Sequence, residues 1–386
     1  MNYSTSQKAI QRRIFQHVIQ NPHTFFAVVQ PGFEETAHKE LLLLGLQGCA
    51  VTKGGVTFRG TLEHCYTANY YSRVATRILM RLCHFRAYHF NEIYRTLNKF
   101  PWELYIHEQT IDVEVSVHKS KLHHTERIAQ EVTKAIAKRL SLFGIQCNAA
   151  DTVQKIFIRF DHDECMVSLD SSGQPLYKRG YKEHISEAPL RETVAAALLY
   201  ESNIGDYATI IDPMCGSGTF PIEAWCILHA IPPGANRTFA FMHWPSFRKQ
   251  AFSNVIRTIT DHKKDITIIA GDSNTDMVAI TQHNSMIACA SLCIYTGDFL
   301  KEKKDIGSGK VLCTVNPPYG KRIHIDDTVK LYKRLAYIFK EWYPTWGFCV
   351  LIPSNIRKIW DIPVDKEIHF SHGGIPITAL ISHRGR

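Results

Sequence analysis

The second half of the chain contains short, uninterrupted apolar runs separated by stretches with helical periodicity. The runs cover residues 208–211, 267–270, 292–295, 311–315 and 348–352. Strands that are apolar along their whole length are typical of parallel sheets covered by helices on both faces. Because crossovers between parallel strands are right-handed, the series predicts a doubly wound α/β domain. Its binding site is expected at the carboxyl ends of the strands.

The first half has a different pattern, in which short strands alternate with helices. Strands are predicted at 25–29, 51–58 (interrupted at Gly54-Gly55), 111–117, 155–160 and 164–170, and helices at 34–44, 61–79 and 125–140. The run 111–117 alternates strictly between apolar and polar residues, so one of its faces is expected to be buried. This half therefore predicts α+β layers, preceded by a helical extension over residues 1–23. The turn-rich, basic residues 171–188 are predicted to link it to a helix that starts at Pro189.

Composition excludes several classes of protein. The 386 residues, 45% of them hydrophobic, are enough for two or three globular domains. No apolar run approaches the roughly 18 residues of a membrane span, and the polar N-terminus does not resemble a signal peptide. The 11 cysteines, an odd number without a Cys-x-x-Cys pair, favour reduced thiols, and the histidines lack ligand spacing. We expect a cytoplasmic protein, monomeric, with no metal and no membrane contact.

The net charge of +9 favours a polyanionic partner. Much of the excess lies on or just before the predicted helix 125–140. The candidate RNA-binding residues there are Lys119, Lys121, Arg127, Lys134, Lys138 and Arg139. A solvated helix face is the alternative explanation for the same pattern.

A glycine-rich loop follows the first apolar run of the second half. It reads Asp212-Pro-Met-Cys-Gly-Ser-Gly-Thr219 and precedes a predicted helix. Such a turn lets a ligand approach the backbone near the positive end of a helix. No Gly-Lys-Ser/Thr follows, so the loop is not a P-loop, and it is not a dinucleotide-binding GxGxxG. Asp212 would repel phosphates but suits a cationic or zwitterionic ligand, and S-adenosylmethionine (AdoMet) is one.

Acidic residues also follow the next two apolar runs. Asp272, in Gly271-Asp272-Ser273, can accept hydrogen bonds from both hydroxyls of a ribose. Asp298 can accept from an adenine amine, with Phe299 as an aromatic neighbour. Each acid alone could equally be a helix N-cap. Their repetition at successive strand ends favours a nucleoside site.

Asn316-Pro317-Pro318-Tyr319 ends the fourth run. The prolines lack an N–H and resist helix, so the bend is rigid and its carbonyls stay free to accept. Asn316 and the Pro317 carbonyl can accept from an exocyclic amine, and Tyr319 can stack on a base. An ordinary proline-rich turn is the alternative for this motif taken by itself.

Together, these motifs resemble the class I AdoMet-dependent RNA methyltransferases that carry a THUMP domain. The closest likeness is to the bacterial 23S rRNA (guanine-N2)-methyltransferases, and it extends over nearly the whole chain from about residue 24. Further matching blocks are Gly54–Gly60, residues 72–78 and Tyr177-Lys-Arg-Gly-Tyr181. The resemblance implies a ferredoxin-like subdomain at 24–95, a THUMP RNA-binding domain at 96–170, a linker at 171–188 and a Rossmann-like methyltransferase domain with a mostly parallel seven-stranded sheet at 189–386.

The same resemblance implies roles for individual residues. Residues of the glycine-rich loop would line the methionine end of AdoMet: Asp212, Met214, Cys215, Gly216, Gly218 and Thr219. Asp272 would hold the ribose with Ser273 beside the adenine, and Asp298 and Phe299 would contact the adenine. The target base would be held by Asn316, Pro317, Pro318 and Tyr319. Apart from the resemblance, the basic linker residues Lys178 and Arg179 are predicted to contact RNA.

The expected reaction is methyl transfer from AdoMet to a guanine N2 in RNA, most closely 23S rRNA. Three alternatives remain open: a tRNA guanine-N2 methyltransferase, an adenine-N6 methyltransferase acting on RNA or DNA, and a non-catalytic RNA-binding or assembly protein. A 5-methylcytosine enzyme is disfavoured because its covalent step needs an activated cysteine, commonly after proline, and the chain has no Pro-Cys pair.

Overall fold

The computed structural model describes residues 6–147, 152–183, 189–257, 266–306, 309–319 and 325–383. Residues 1–5 of the predicted extension and 184–188 of the predicted linker lie outside this range. The strands are β1 (His23–Val28), β2 (Gln47–Thr52), β3 (Gly55–Gly60), β4 (Arg77–Arg86), β5 (Thr110–His118), β6 (Val153–Asp161), β7 (Glu164–Asp170), β8 (Thr209–Asp212), β9 (Thr267–Asp272), β10 (Cys293–Thr296), β11 (Val311–Val315), β12 (Gly347–Pro353), β13 (Lys366–His372) and β14 (Ile375–Ser382). The α-helices are α1 (Gln7–Ile14), α2 (Glu34–Leu43), α3 (Leu62–Tyr71), α4 (Phe90–Lys99), α5 (Thr125–Ser141), α6 (Glu192–Glu201), α7 (Thr219–Leu228), α8 (Lys249–Ile256), α9 (Thr275–Ile287) and α10 (Ile325–Tyr337).

The first half forms one seven-stranded sheet in the order β2-β3-β1-β4-β7-β6-β5. Its pairs are antiparallel except β5 and β6, which are parallel. The α+β class predicted from the sequence is confirmed. The pairing of β4 with β7 makes the sheet continuous from one end of this half to the other. Helix α5 buries Ile128, Val132, Ile136 and Leu140, four residues apart, as expected of an amphipathic helix.

One helix prediction in this half is wrong. The sequence predicted a helix over 61–79, but α3 ends at Tyr71 and β4 begins at Arg77. The buried carboxylate of Glu40, on α2, accepts hydrogen bonds from the Ser72 hydroxyl at 2.6 Å and from the backbone N–H of Arg73 at 2.7 Å. These bonds hold the chain in an extended conformation after Tyr71 and turn it into the sheet. Glu40 and Ser72 are 32 positions apart, so the end of this helix depends on a contact between residues that are distant in sequence.

The second half forms a seven-stranded sheet in the order β10-β9-β8-β11-β12-β14-β13. The pairs from β10 to β12 are parallel, whereas β14 is antiparallel to both of its neighbours. The predicted mostly parallel sheet is confirmed. The strand order reverses at β8, between β9 and β11, and such a switch point opens a crevice at the carboxyl ends of the strands. No helix among the described residues is long and apolar enough to cross a membrane.

A buried ion pair joins the two halves. Arg179 contacts the Glu223 carboxylate of α7 at 3.4 Å, and their side chains are only 4% and 1% exposed. The Arg179 guanidinium also donates to the carbonyls of Leu176 at 2.8 Å and Arg73 at 2.6 Å. Tyr181 donates its hydroxyl to Glu223 at 3.1 Å. We call this set, Arg73, Arg179, Tyr181 and Glu223, the junction.

The junction predicts a large stability effect at Arg179. Arg179→Met leaves Glu223 buried without its cation and leaves two carbonyls without their donor, so we expect a loss of about 3–5 kcal/mol in the free energy of unfolding. The neighbouring, exposed Lys178 is the matched control, and Lys178→Met should change stability by less than about 0.5 kcal/mol. Urea denaturation of both variants without RNA measures this. Equal stability of the two variants would show that the pair does not hold the halves together.

Candidate active site

A cleft of about 810 Å³ opens at the carboxyl ends of β8 to β11. We call it the catalytic cleft. Predicted residues on its walls are Asp212, Met214, Cys215, Gly216, Thr219, Asp272, Ser273, Asp298, Phe299, Asn316 and Pro318. Gly218, Pro317 and Tyr319 do not line it. Because parallel strands end at one edge, residues far apart in sequence are brought together here.

The glycine-rich loop between β8 and α7 is held in shape by its neighbours. The Gly216 N–H donates to Asp272 Oδ2 at 3.0 Å, and the Thr281 hydroxyl donates to the Gly216 carbonyl at 2.7 Å. Gly218 has φ +81° and caps α7, where a Cβ would lie 3.0 Å from the Thr281 side chain. A side chain at this position would therefore be strained and crowded. Gly218 shapes the loop without facing the cleft.

Asp212 ends β8 and is 2% exposed. The Met214 N–H donates to its Oδ1 at 3.1 Å, and no cation of the described residues pairs with it. Burial raises the pKa of Asp212 well above its usual value, and the nearby Asp272 raises it further. A buried carboxylate without a cation is stabilised by a positively charged ligand.

Asp272 ends β9 and has accepting capacity left on both oxygens. Its Oδ2 accepts from Gly216, as above, and its Oδ1 accepts from the Asn274 N–H at 2.9 Å. A carboxylate oxygen can accept two hydrogen bonds, so each oxygen retains one site for a ligand hydroxyl. Asn274 in turn caps α9 by accepting from the Asp276 N–H at 2.8 Å.

Asp298 and Phe299 follow β10. Asp298 accepts from the Leu300 N–H at 3.0 Å and pairs with Lys301 at 3.0 Å. Phe299 is 1% exposed and stacks on Tyr343 with ring centroids 5.7 Å apart. Its ring position is thus fixed by the core while it contributes to the cleft wall.

Asn316 follows β11 and carries an unsatisfied acceptor. Its Oδ1 is buried and has no hydrogen-bond partner among the described residues. Leaving a buried acceptor unpaired costs about 1–3 kcal/mol, which a donor on a bound ligand would offset. A buried polar atom of this kind on a cleft wall is typical of a ligand-binding group.

Tyr319 lies behind the cleft wall and is 9% exposed. A hydrogen bond of 2.6 Å joins its hydroxyl to His372 Nδ1, at the end of β13. The other ring nitrogen of His372 lies 3.3 Å from the Pro189 carbonyl, which can only accept. His372 therefore donates through Nε2 and accepts from Tyr319 through Nδ1, which ties the ring of Tyr319 to Pro189.

Several cleft residues were missed by sequence analysis. Pro189, Leu190 and Ser217 line the cleft, as does one face of α10 with Asp327, Lys330, Leu331 and Arg334. The spacing of these α10 residues (i, i+3, i+4, i+7) is the signal for a shared helix face. His372 gave no local signal, because it meets Tyr319 from 53 positions away.

The candidate RNA-binding residues fall into two groups. Lys119, Lys121, Arg127, Lys134, Lys138 and Lys178 are exposed. Three of them lie over aromatic rings, with Lys121 4.8 Å from Tyr88, Arg127 4.2 Å from Phe90 and Lys134 5.5 Å from Tyr94. These pairs form a row of cations on the first half of the chain.

Arg139 and Arg179 are buried, and their prediction as RNA contacts is corrected. Arg139 donates to both carboxylate oxygens of Glu103, at 2.7 and 2.9 Å, and Arg13 of α1 donates to the same carboxylate at 2.9 Å. Arg179 belongs to the junction. Both arginines neutralise buried glutamates, so neither charge is presented to a partner.

Among the described residues, one group of side chains could hold a metal ion: His118, Asp161 and His162. His118 Nδ1 and His162 Nδ1 donate to Asp161 Oδ1, at 3.0 and 2.7 Å. These bonds satisfy the carboxylate without a metal. The sequence-based expectation of no metal stays a prediction.

Comparisons with known proteins place these features in a family. Family models match the chain as an RlmL ferredoxin-like domain at residues 24–79, a THUMP domain at 87–170 and an RMKL-like methyltransferase domain at 179–362. The putative RNA methyltransferase YpsC of Bacillus subtilis is 31% identical over 92% of this chain and 94% of its own length. The chain belongs to the THUMP-containing, AdoMet-dependent RNA methyltransferase family. The fold class and the family inferred from the motifs are thus confirmed.

Two further proteins that are similar to the chain differ in how much of their length they share with it. The ribosomal RNA large subunit methyltransferase K/L of Psychromonas ingrahamii is 30% identical over 91% of this chain, which spans 49% of the length of that relative. The crystal structure of SMU.472, a putative methyltransferase complexed with S-adenosylhomocysteine (SAH), is 28% identical and covers 95% of this chain and 100% of its own, with a TM-score of 0.85. The chain thus corresponds to about half of the K/L relative and to the whole of SMU.472.

The raised pKa of Asp212 predicts a pH-dependent stability difference. An aspartate whose pKa is raised by folding binds its proton more tightly in the folded state. Its contribution to the free energy of unfolding therefore falls as pH rises above the unfolded value of about 3.9. Asp212→Asn has no carboxyl group to ionise, so this pH-dependent loss of stability is absent from the variant. We expect the variant to gain stability relative to wild type between about pH 5 and about pH 8, without ligand.

Urea unfolding at the two pH values measures this difference. Ser273→Ala, an uncharged change in the same cleft, is the control and should shift stability equally at both. An advantage of Asp212→Asn that shrinks with rising pH would contradict the assignment.

Proposed function

We propose that this protein transfers a methyl group from AdoMet to the exocyclic N2 amine of a guanine in RNA, and that the RNA is 23S rRNA. The observation that carries the proposal is the buried, unpaired Oδ1 of Asn316 on the wall of the catalytic cleft. An acceptor held in this way fits an N–H donor on a flat heterocycle.

The acids at the strand ends fit AdoMet. Asp212 is buried without a cation and suits the ammonium group, while Asp272 retains one acceptor site per oxygen for the ribose hydroxyls. Asp298 and Phe299 suit the adenine amine and ring. When bound, AdoMet supplies an electrophilic methyl on a positively charged sulfur. SAH in the related SMU.472 supports the same cofactor class.

The chain's own groups would position the amine. A guanine N2 lone pair is delocalised into the ring, and an acceptor contact from Asn316 Oδ1, on the wall of the catalytic cleft, would turn the amine so that the lone pair is available. The same oxygen would stabilise the positive charge that develops on nitrogen. Alignment of the reacting atoms and this fixed dipole supply the rate enhancement, without a nucleophilic residue.

RNA as the substrate is supported by the exposed cations of the first half and by the family. The choice of 23S rRNA follows the name of the K/L relative, of which this chain spans about half. A tRNA guanine and an adenine N6 remain the alternatives, because Asn316 Oδ1 can accept from any exocyclic amine. All 11 cysteines are unpaired thiols, which supports the proposal of a cytoplasmic enzyme. We further propose that it acts as a monomer.

A transfer assay tests the substrate. Methyl-labelled AdoMet is offered with undermodified rRNA, tRNA or DNA, and the labelled nucleoside is identified by chromatography. We expect label in N2-methylguanosine from rRNA. Label in N2-methylguanosine from tRNA alone would move the proposal to the first alternative. Label in N6-methyladenine, or in DNA only, would refute the guanine-N2 activity.

The role of Asn316 is tested by Asn316→Ala. The variant loses the acceptor for the amine but no cofactor contact, so we expect transfer to fall by at least about 100-fold while AdoMet affinity stays within about twofold. Asn254→Ala, an exposed asparagine on α8, is the matched control and should retain full activity. Full activity of Asn316→Ala would remove this residue from the mechanism.

A further inference from the structure

A second cleft, of about 950 Å³, lies next to the catalytic cleft. The two clefts share Pro189 and Leu190 as a common wall. The Leu190 carbonyl accepts from Thr219 of the glycine-rich loop at 3.4 Å and from Lys182 at 3.2 Å. We call this second site the flanking cleft. Its volume lies in the range of about 300–1,000 Å³ that is usual for small-ligand sites.

The charge of the flanking cleft is positive. Among the described residues, no carboxylate pairs with Lys178, Arg191 or Arg237, all of which line it. Lys178 contacts the Gln174 amide oxygen at 3.2 Å. Arg237 donates to backbone carbonyls, among them that of Pro175 at 2.8 Å. Cations left without acidic partners attract an anion such as a phosphodiester.

Other cations of this region are neutralised, which makes the three unpaired ones distinctive. Lys182 forms an ion pair with Glu192 at 3.0 Å, with both side chains less than a tenth exposed. Arg179 is paired with Glu223 in the junction. The local glutamates are therefore already engaged, and Lys178, Arg191 and Arg237 supply the net positive charge.

An aromatic ring lies in the same cleft. The guanidinium carbon of Arg191 is 5.1 Å from the centre of the Tyr177 ring. Aromatic rings and planar guanidinium groups are the groups on which unpaired bases stack, and this stacking tolerates different bases. The cleft thus combines a stacking surface with unpaired positive charge.

The flanking cleft is also connected to the proposed base-holding motif. His372 contacts both the Tyr319 hydroxyl and the carbonyl of Pro189, one of the two residues shared by the clefts. An RNA strand whose target base enters the catalytic cleft would therefore place its neighbouring nucleotide against Tyr177 and Arg191.

We propose that the flanking cleft binds the single-stranded nucleotide adjacent to the target guanine, with its base on Tyr177 and its phosphate at Lys178 and Arg191. This inference rests on the proposed function. It assigns Tyr177 and Arg191 as substrate-positioning residues, and it predicts that the enzyme binds unpaired RNA in preference to a duplex.

Fluorescence anisotropy with the full chain tests the assignment. The probes are a fluorescein-labelled oligouridine with one central guanine and an RNA duplex of equal length. We expect Tyr177→Leu and Arg191→Ala each to weaken binding of the single strand about tenfold. Tyr177→Phe, which keeps the ring, should bind like wild type. Arg191→Ala should also reduce the slope of log affinity against log salt by about one.

Arg257→Ala, an exposed arginine at the end of α8, is the charge-matched control and should leave affinity unchanged. Because Arg191 is exposed, its variant remains informative even if Tyr177→Leu fails to fold. Unchanged affinity in Arg191→Ala, equal losses in Tyr177→Leu and Tyr177→Phe, or equal wild-type affinity for the duplex and the single strand would each overturn the inference. If the variants weaken binding as expected but the wild type methylates no RNA, the cleft assignment stands and the proposed function fails.

Discussion

The buried pair between Arg179 and Glu223 fixes the two halves of the chain against each other, together with a hydrophobic core that is continuous between them. Each of the two charges would be costly in the interior by itself, and each is satisfied by the other and by further hydrogen bonds. Glu223 lies on α7, the helix that begins at the glycine-rich loop, while Arg179 also holds the backbone of Arg73 beside the first sheet. The pair therefore fixes the RNA-binding half against the helix that shapes the cofactor loop.

A second constraint acts inside the catalytic cleft, where Asp272 has two tasks. Its Oδ2 accepts a hydrogen bond from the Gly216 N–H, and its Oδ1 accepts one from the N–H of Asn274, the N-cap residue of α9. Each oxygen can still accept one hydrogen bond from a ligand. A change at Asp272 would disturb the loop as well as the ribose contact, so its loss cannot be read as a simple binding effect. Asn316 is different, because its Oδ1 has no structural partner among the described residues and can be changed with less effect on the fold.

Much of the architecture was predictable because it follows from local patterns. The continuous apolar runs predicted the parallel strands, and the alternation of apolar and polar residues over 111–117 predicted β5. The predictions that were wrong concern residues whose contacts come from distant parts of the sequence. The end of α3 is determined by hydrogen bonds to Glu40. Arg139 can be buried because Glu103, 36 positions away in the sequence, accepts its hydrogen bonds and neutralises its charge. A basic residue on a helix looks the same in sequence whether it faces solvent or a buried acid. The connection of Tyr319 to His372 and Pro189 was likewise invisible, since it requires the fold to bring β13 beside the proline motif.

We propose that Asn316 and the neighbouring strand ends form a site that methylates a guanine N2 in RNA. Mass spectrometry of rRNA nucleosides from cells lacking this protein tests it most directly, with complementation by wild type or by Asn316→Ala. We expect one N2-methylguanosine to disappear on deletion, to return with wild type and not to return with the variant. An unchanged N2-methylguanosine content, or the loss of N6-methyladenosine instead, would contradict it.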